Sequence, residues 1–98
     1  MQTEIFEYIT KNKNNRKQRI GIILGAKYGD EIRFGWSKCN TKLGDAFDKA
    51  EGLKIARNRA GNLVAMPKLP SCMKRRARQF SGRCIRYFKD AKKVSLIE

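Results

Sequence analysis

The sequence predicts an α+β fold: a small antiparallel sheet of three or four strands packed with two helices, the C-terminal one long and amphipathic. Three observations carry this. Glu4–Thr10 alternates with period two, Ile20–Cys39 reads as two apolar runs around a turn, and Ser71–Lys93 repeats its apolar residues at helical spacing. A chain of 98 residues is expected to form a single domain, residues 1–98, around one modest core.

In chain order, Glu4–Thr10 (EIFEYIT) is expected to be a strand with Phe6 and Tyr8 on one face and Ile5, Glu7 and Ile9 on the other. Lys11–Arg19 (KNKNNRKQR) follows without an apolar side chain, and Asn14-Asn15 in its middle is a turn signal. This stretch reads either as a solvated hairpin tip or as a basic, phosphate-binding finger.

Ile20–Tyr28 and Asp30–Cys39 then read as a hairpin. A three-residue loop, Lys27-Tyr28-Gly29, would put Gly29 in the left-handed position and set Ile20 opposite Trp36, Ile22 opposite Phe34, and Leu24 opposite Ile32. All six apolar residues then share one face. A two-residue Gly29-Asp30 turn would separate them, so the three-residue loop is expected. It also gathers Gly21, Gly25 and Gly35 on the reverse side, a bare backbone patch open to close approach by another element or a ligand.

Asn40–Gly44 is a polar turn, and a helix is expected from Asp45 to about Ala60, ended by Gly61-Asn62. Its apolar residues lie on two sides, with Gly52 permitting close packing. Leu63–Pro67 reads as a short extended piece. The last helix is expected over Ser71–Lys93, with Ser71 as N-cap after Pro70. Met73, Ala77, Phe80, Cys84, Tyr87, Phe88 and Ala91 fall within an arc roughly 100° wide, and about 22 residues would make a rod of roughly 33 Å. The expected core centre is Trp36, Phe34, Ile22, Leu24, Phe80 and Phe88.

Charge sets the functional expectation. Lysine and arginine number 23 against 9 acids, a formal +14, and Ser71–Lys93 alone carries nine bases and one acid. Such an excess costs self-repulsion and is usually balanced by a polyanion or an acidic protein surface. The expected nucleic-acid contacts are Lys13, Arg16, Lys17 and Arg19 of the finger, and Lys74, Arg75, Arg78, Arg83, Arg86, Lys89 and Lys93 of the last helix. Arginine's planar fork suits phosphates. With no recognition-helix motif visible, RNA is preferred over DNA, and the aromatics are assigned to the core rather than to base stacking.

Enzyme chemistry is not expected. There is no histidine, and the cysteines (Cys39, Cys72 and Cys84) form no C-x-x-C, so neither zinc nor a cofactor is implied. Asp45, Asp48 and Glu51 fit helix capping and dipole compensation better than a metal, with an Asp48–Arg59 ion pair as the intermediate case. Gly21-x-x-x-Gly25-x-x-x-Gly29 lacks the Lys-Ser/Thr of a phosphate loop. Free cysteines fit a reducing cytosol, and no apolar run suggests a leader or a membrane span.

Gly35, Trp36, Ser37, Cys39 and Asn40, then Asp45, Phe47, Asp48, Lys49, Gly52, Leu53, Ile55, Ala56, Arg59 and Ala60, and last Arg86, Tyr87 and Phe88 form a pattern that resembles small basic accessory proteins of tailed bacteriophages. The resemblance covers about two thirds of the chain. It implies the cytoplasm of an infected bacterium and implies no reaction. Three roles follow as expectations for a monomer or homodimer: an electrostatic nucleic-acid binder in an accessory or host-takeover role, an inhibitor of a host defence factor or toxin that meets an acidic surface or bridges through RNA, and a structural or assembly accessory.

Overall fold

The computed structural model describes residues 4–39, 47–61 and 69–94. Strands β1 (Glu4–Lys13), β2 (Arg16–Tyr28) and β3 (Glu31–Lys38) are followed by helix α1 (Lys49–Gly61). A 3₁₀ turn (Ser71–Met73), helix α2 (Lys74–Tyr87) and a two-residue strand β4 (Lys93–Val94) complete the α+β fold. The sheet order is β1-β2-β3-β4. It is mixed rather than antiparallel, because β4 pairs parallel to β3.

Asn14 and Asn15 both take positive φ, 53° and 62°, and close a two-residue turn between Lys13 and Arg16. That is the geometry of a type I′ hairpin, which asparagine tolerates. The basic finger is therefore a two-stranded ribbon, and Phe6 and Tyr8 share one face of β1 as the alternation requires.

The second hairpin corrects the expected register. Tyr28 pairs with Glu31 across a Gly29-Asp30 turn, with φ 64° at Gly29. Ile23 therefore faces Trp36, Gly25 faces Phe34 and Lys27 faces Ile32. The expected pairing assumed one buried face, but this sheet is buried on both. Ile5, Ile9, Ile20, Ile23, Ile32, Phe34 and Trp36 pack under α2 with Leu69, Met73, Ala77, Phe80, Cys84 and Phe88. Ile22, Leu24 and Ala26 pack under α1 with Leu53, Ala56 and Ala60. The six residues expected at one core centre are all buried, but they are divided between two layers.

Glycines set the helix distances. Gly35 lies against the carbonyl of Ala56, and a Cβ there would stand 2.8 Å from Ala60 N. On the other side of the sheet, Gly25 lies against Cys84 Sγ. The expected glycine patch is thus divided: Gly35 admits α1, Gly25 admits α2, and Gly21 lies against the Ser37 carbonyl of β3.

Helix α1 begins at Lys49, four residues later than expected. Asp48 Oδ1 accepts the Glu51 N–H at 3.1 Å, so Asp48 is the cap and Asp45 lies outside the described residues, as does the extended piece expected at 63–67. Arg59 donates to the Trp36 carbonyl at 2.9 Å, with its guanidinium 4.3 Å over the indole.

Helix α2 is 14 residues rather than about 22. Ser71 is not its N-cap: the helix starts after a 3₁₀ turn at Met73, with no side-chain cap bond. It ends because Phe88 leaves helical geometry (φ −98°, ψ 70°), while the Lys92 and Lys93 amides donate to the Asp30 carbonyl at 2.7 and 3.0 Å. Those bonds draw the chain onto the sheet edge. Lys93, expected on the helix face, stands in β4 instead.

Candidate nucleic-acid interface

On α2, the buried residues Ala77, Phe80 and Cys84 follow helical spacing, continued backwards by Met73. Lys74, Arg75, Arg78 and Arg86 stand exposed on the other sides. The first turn, Lys74-Arg75-Arg76, holds no acid and so adds positive charge to the positive end of the helix dipole. Gly82 sits among these bases without breaking the helix, and the Arg86 side chain folds towards it, with Nη1 3.6 Å from where its Cβ would be.

Arg83 differs from its neighbours. Its Nη1 donates to Glu7 Oε2 at 2.7 Å, and Arg76 approaches the same carboxylate at 3.8 Å. These two arginines clamp α2 onto β1. Lys89 is exposed in the turn after α2, beside Asp90, which is ion-paired to Lys27. The bond from Lys27 holds the Asp90 carboxyl below the usual aspartate range. On the opposite face, the Arg57 guanidinium binds Glu4 at 2.7 Å, and that bond raises its pKa. Among the described residues, Lys74, Arg75, Arg78, Arg86 and Lys89 join none of the ion pairs, while Glu4, Glu7, Glu31 and Asp90 are all engaged.

The finger is divided between the faces by a β-bulge. Ile9 pairs with Gly21, but Thr10 pairs with Arg19, which leaves Ile20 as the extra residue. A bulge re-aims the side chains beyond it. Ile20 joins the α2 side, and Arg19 turns to the α1 side, its guanidinium 4.0 Å over the Tyr8 ring. Lys17, two residues earlier in the same strand, follows Arg19, whereas Arg16 follows Ile20. Asn14, Arg16, Lys17 and Gln18 line an open depression of about 530 Å³ at the tip. The side chain of Lys13 lies outside the described residues.

The α2 C-terminus is pinned at the Gly29 turn by Lys27–Asp90 and by the Asp30 carbonyl. The structure leaves Lys74, Arg75 and Arg78 exposed on α2, and sets apart from them Arg83, which is paired, and Lys17 and Arg19, which face the α1 side. A further group was not anticipated from the sequence: Phe6, Tyr8 and Phe47 form an edge-to-face row at 5.6 and 5.9 Å, with Lys49 Nζ 5.5 Å over Phe6. The alternation placed Phe6 and Tyr8 together, but only the bulge brings Arg19 to them.

Among the described residues, no cluster of three or more His, Cys, Asp or Glu could hold a metal ion, and no helix is long and apolar enough to cross a membrane. Compared with protein-family models, curated proteins and solved structures, the chain finds no match, so a functional reading rests on its own side chains.

Proposed function

We propose that this protein binds nucleic acid electrostatically, RNA in preference to DNA, through the outward face of α2 together with the finger. The observation that carries the reading is the set of exposed bases Lys74, Arg75, Arg78 and Arg86, left without acidic partners while nearby acids are engaged elsewhere. A phosphate backbone would offset both their mutual repulsion and the unfavourable charge at the α2 N-terminus. With the resemblance to small basic tailed-phage proteins, the setting we propose is the cytoplasm of an infected bacterium, in an accessory or host-takeover role. The polyanion is the ligand in this reading, and no reaction or cofactor is part of it.

The measurement that tests it is the salt dependence of RNA affinity. With roughly 4–6 phosphates covered, log K falls with log salt at a slope of about −3 to −4 for a single strand. A flat response, or no binding at low salt, removes the proposal.

A second reading, inhibition of a host factor through an acidic protein surface, draws on Ile85 and Tyr87. They are 52% and 48% exposed on the same helix as the arginines. Aromatic and arginine side chains together characterise protein interfaces. A pull-down that retains its partner after nuclease treatment favours this reading over the first.

A further inference from the structure

Helix α1 packs mainly on β2 and β3, and it touches the α1 side of β1 through the Arg57–Glu4 ion pair and Lys49. The contrast across β1 is direct. Ile5 and Ile9, on the α2 side, are buried, whereas Phe6 and Tyr8, on the α1 side, are only half-buried. Phe47 extends the row beyond Tyr8, and Arg19 and Lys49 hold cations over the Tyr8 and Phe6 rings.

A guanidinium stacked on a tyrosine offers its outer plane to solvent, and Arg19 is exposed. Unpaired bases stack on aromatic rings and on arginine planes, and the same charge meets the phosphate that follows each base. A duplex hides its base faces and cannot use such a surface. Beyond Phe47, Asp48 and Glu51 line a cavity of about 260 Å³ with Ser37 and Cys39. Their charge repels phosphates, so the strand's path runs from the aromatic row towards Lys17 and the finger.

We infer that the Tyr8–Arg19 stack, with Phe6, Phe47 and Lys49, is a site where unpaired bases of single-stranded RNA stack on the α1 side of the sheet. The inference rests on the nucleic-acid reading above and adds what that reading leaves out: a preference for unpaired bases, and a second face of the molecule that engages the strand. The occupant follows from charge complementarity, since cations bracket a half-buried aromatic row.

The test compares an oligouridylate single strand of 12 nucleotides with a 12-base-pair RNA duplex at one fixed salt concentration. Arg19→Lys keeps the charge and removes the plane. It is expected to lower single-strand affinity about five- to a hundredfold, the range for losing one base stack, and to leave duplex affinity within about twofold. Tyr8→Leu should do the same and Tyr8→Phe should not. If Tyr8→Leu fails to fold, the exposed Arg19→Lys still carries the comparison. Equal losses on both probes, or none on either, overturn the inference and leave the electrostatic reading standing. So does wild-type binding of the duplex alone. A wild-type protein that binds neither probe at low salt overturns both.

Discussion

Gly25 of β2 lies directly against the sulfur of Cys84 on α2, with no room between them for a methyl group. This contact sets the depth of α2 on the sheet. Gly25→Ala is therefore expected to destabilise the protein by about 1–3 kcal/mol through overpacking. Cys84→Ala in the same chain should recover part of that loss, because the obstruction is a side chain. Gly35→Ala has no such remedy: its neighbours are the Ala56 carbonyl and the Ala60 amide, both backbone. Urea unfolding of the three variants and the double variant checks this. Additive losses for Gly25→Ala and Cys84→Ala would show that the two residues do not meet.

Phe80 is fully buried and meets Phe34 edge-to-face at 6.3 Å between centroids. Phe80→Ala is expected to cost on the order of 3–5 kcal/mol, a large part of a small domain's stability. An unfolding midpoint close to wild type would contradict the placement of α2.

Burial pushes the Cys84 thiol up to about 12, with a smaller opposing effect from Arg83. Its folded pKa is raised above the ordinary 9.0, so the neutral thiol's contribution to stability is fully present below about pH 9. It is lost as pH rises from there towards 12. Relative to Cys84→Ala, wild type should lose on the order of 1 kcal/mol more between about pH 8 and 10.5. Thiol labelling at neutral pH should reach the half-buried Cys39 well before Cys84. Equal labelling rates would rule out the buried position.

The sequence carried the local signals of this fold and hid the tertiary ones. Asn14-Asn15 and Gly29 announced their turns, because positive φ narrows the choice of residue. The register between β2 and β3 failed on an assumption of one buried face. Ile22-Ile23-Leu24, three apolar residues in succession, is the pattern of a strand covered on both sides, and Ile23 is as buried as its neighbours. The end of α2 was hidden because Tyr87 and Phe88 both fit a helical arc, whereas the Asp30 carbonyl that captures the following amides belongs to another element. The same holds for the candidate interface. Which bases are exposed on α2 follows from its periodicity, but the pairing of Arg83 with Glu7 and the turning of Arg19 onto Tyr8 depend on docking and on a bulge.

Charge reversal on α2 separates the exposed bases from the clamped one. Arg75→Glu with Arg86→Glu changes two exposed positions and should leave stability within about 0.5 kcal/mol per site. It lowers the formal charge from +14 to +10 and puts repulsion where a phosphate backbone would run. RNA affinity should drop by tenfold or more, with a shallower salt slope. Arg83→Glu is the counterpart: it sets a carboxylate against Glu7, on the seam between α2 and β1. Exposed pairs of this kind contribute about 0–1 kcal/mol, and like charges at the seam add repulsion, so this variant should melt earlier than the double one despite a smaller change in charge. Thermal melting beside a gel shift reads both. Retained binding in the double variant would make the α2 face a solvated surface only. A double variant that melts earlier than Arg83→Glu would mean that α2 turns a different face to the sheet.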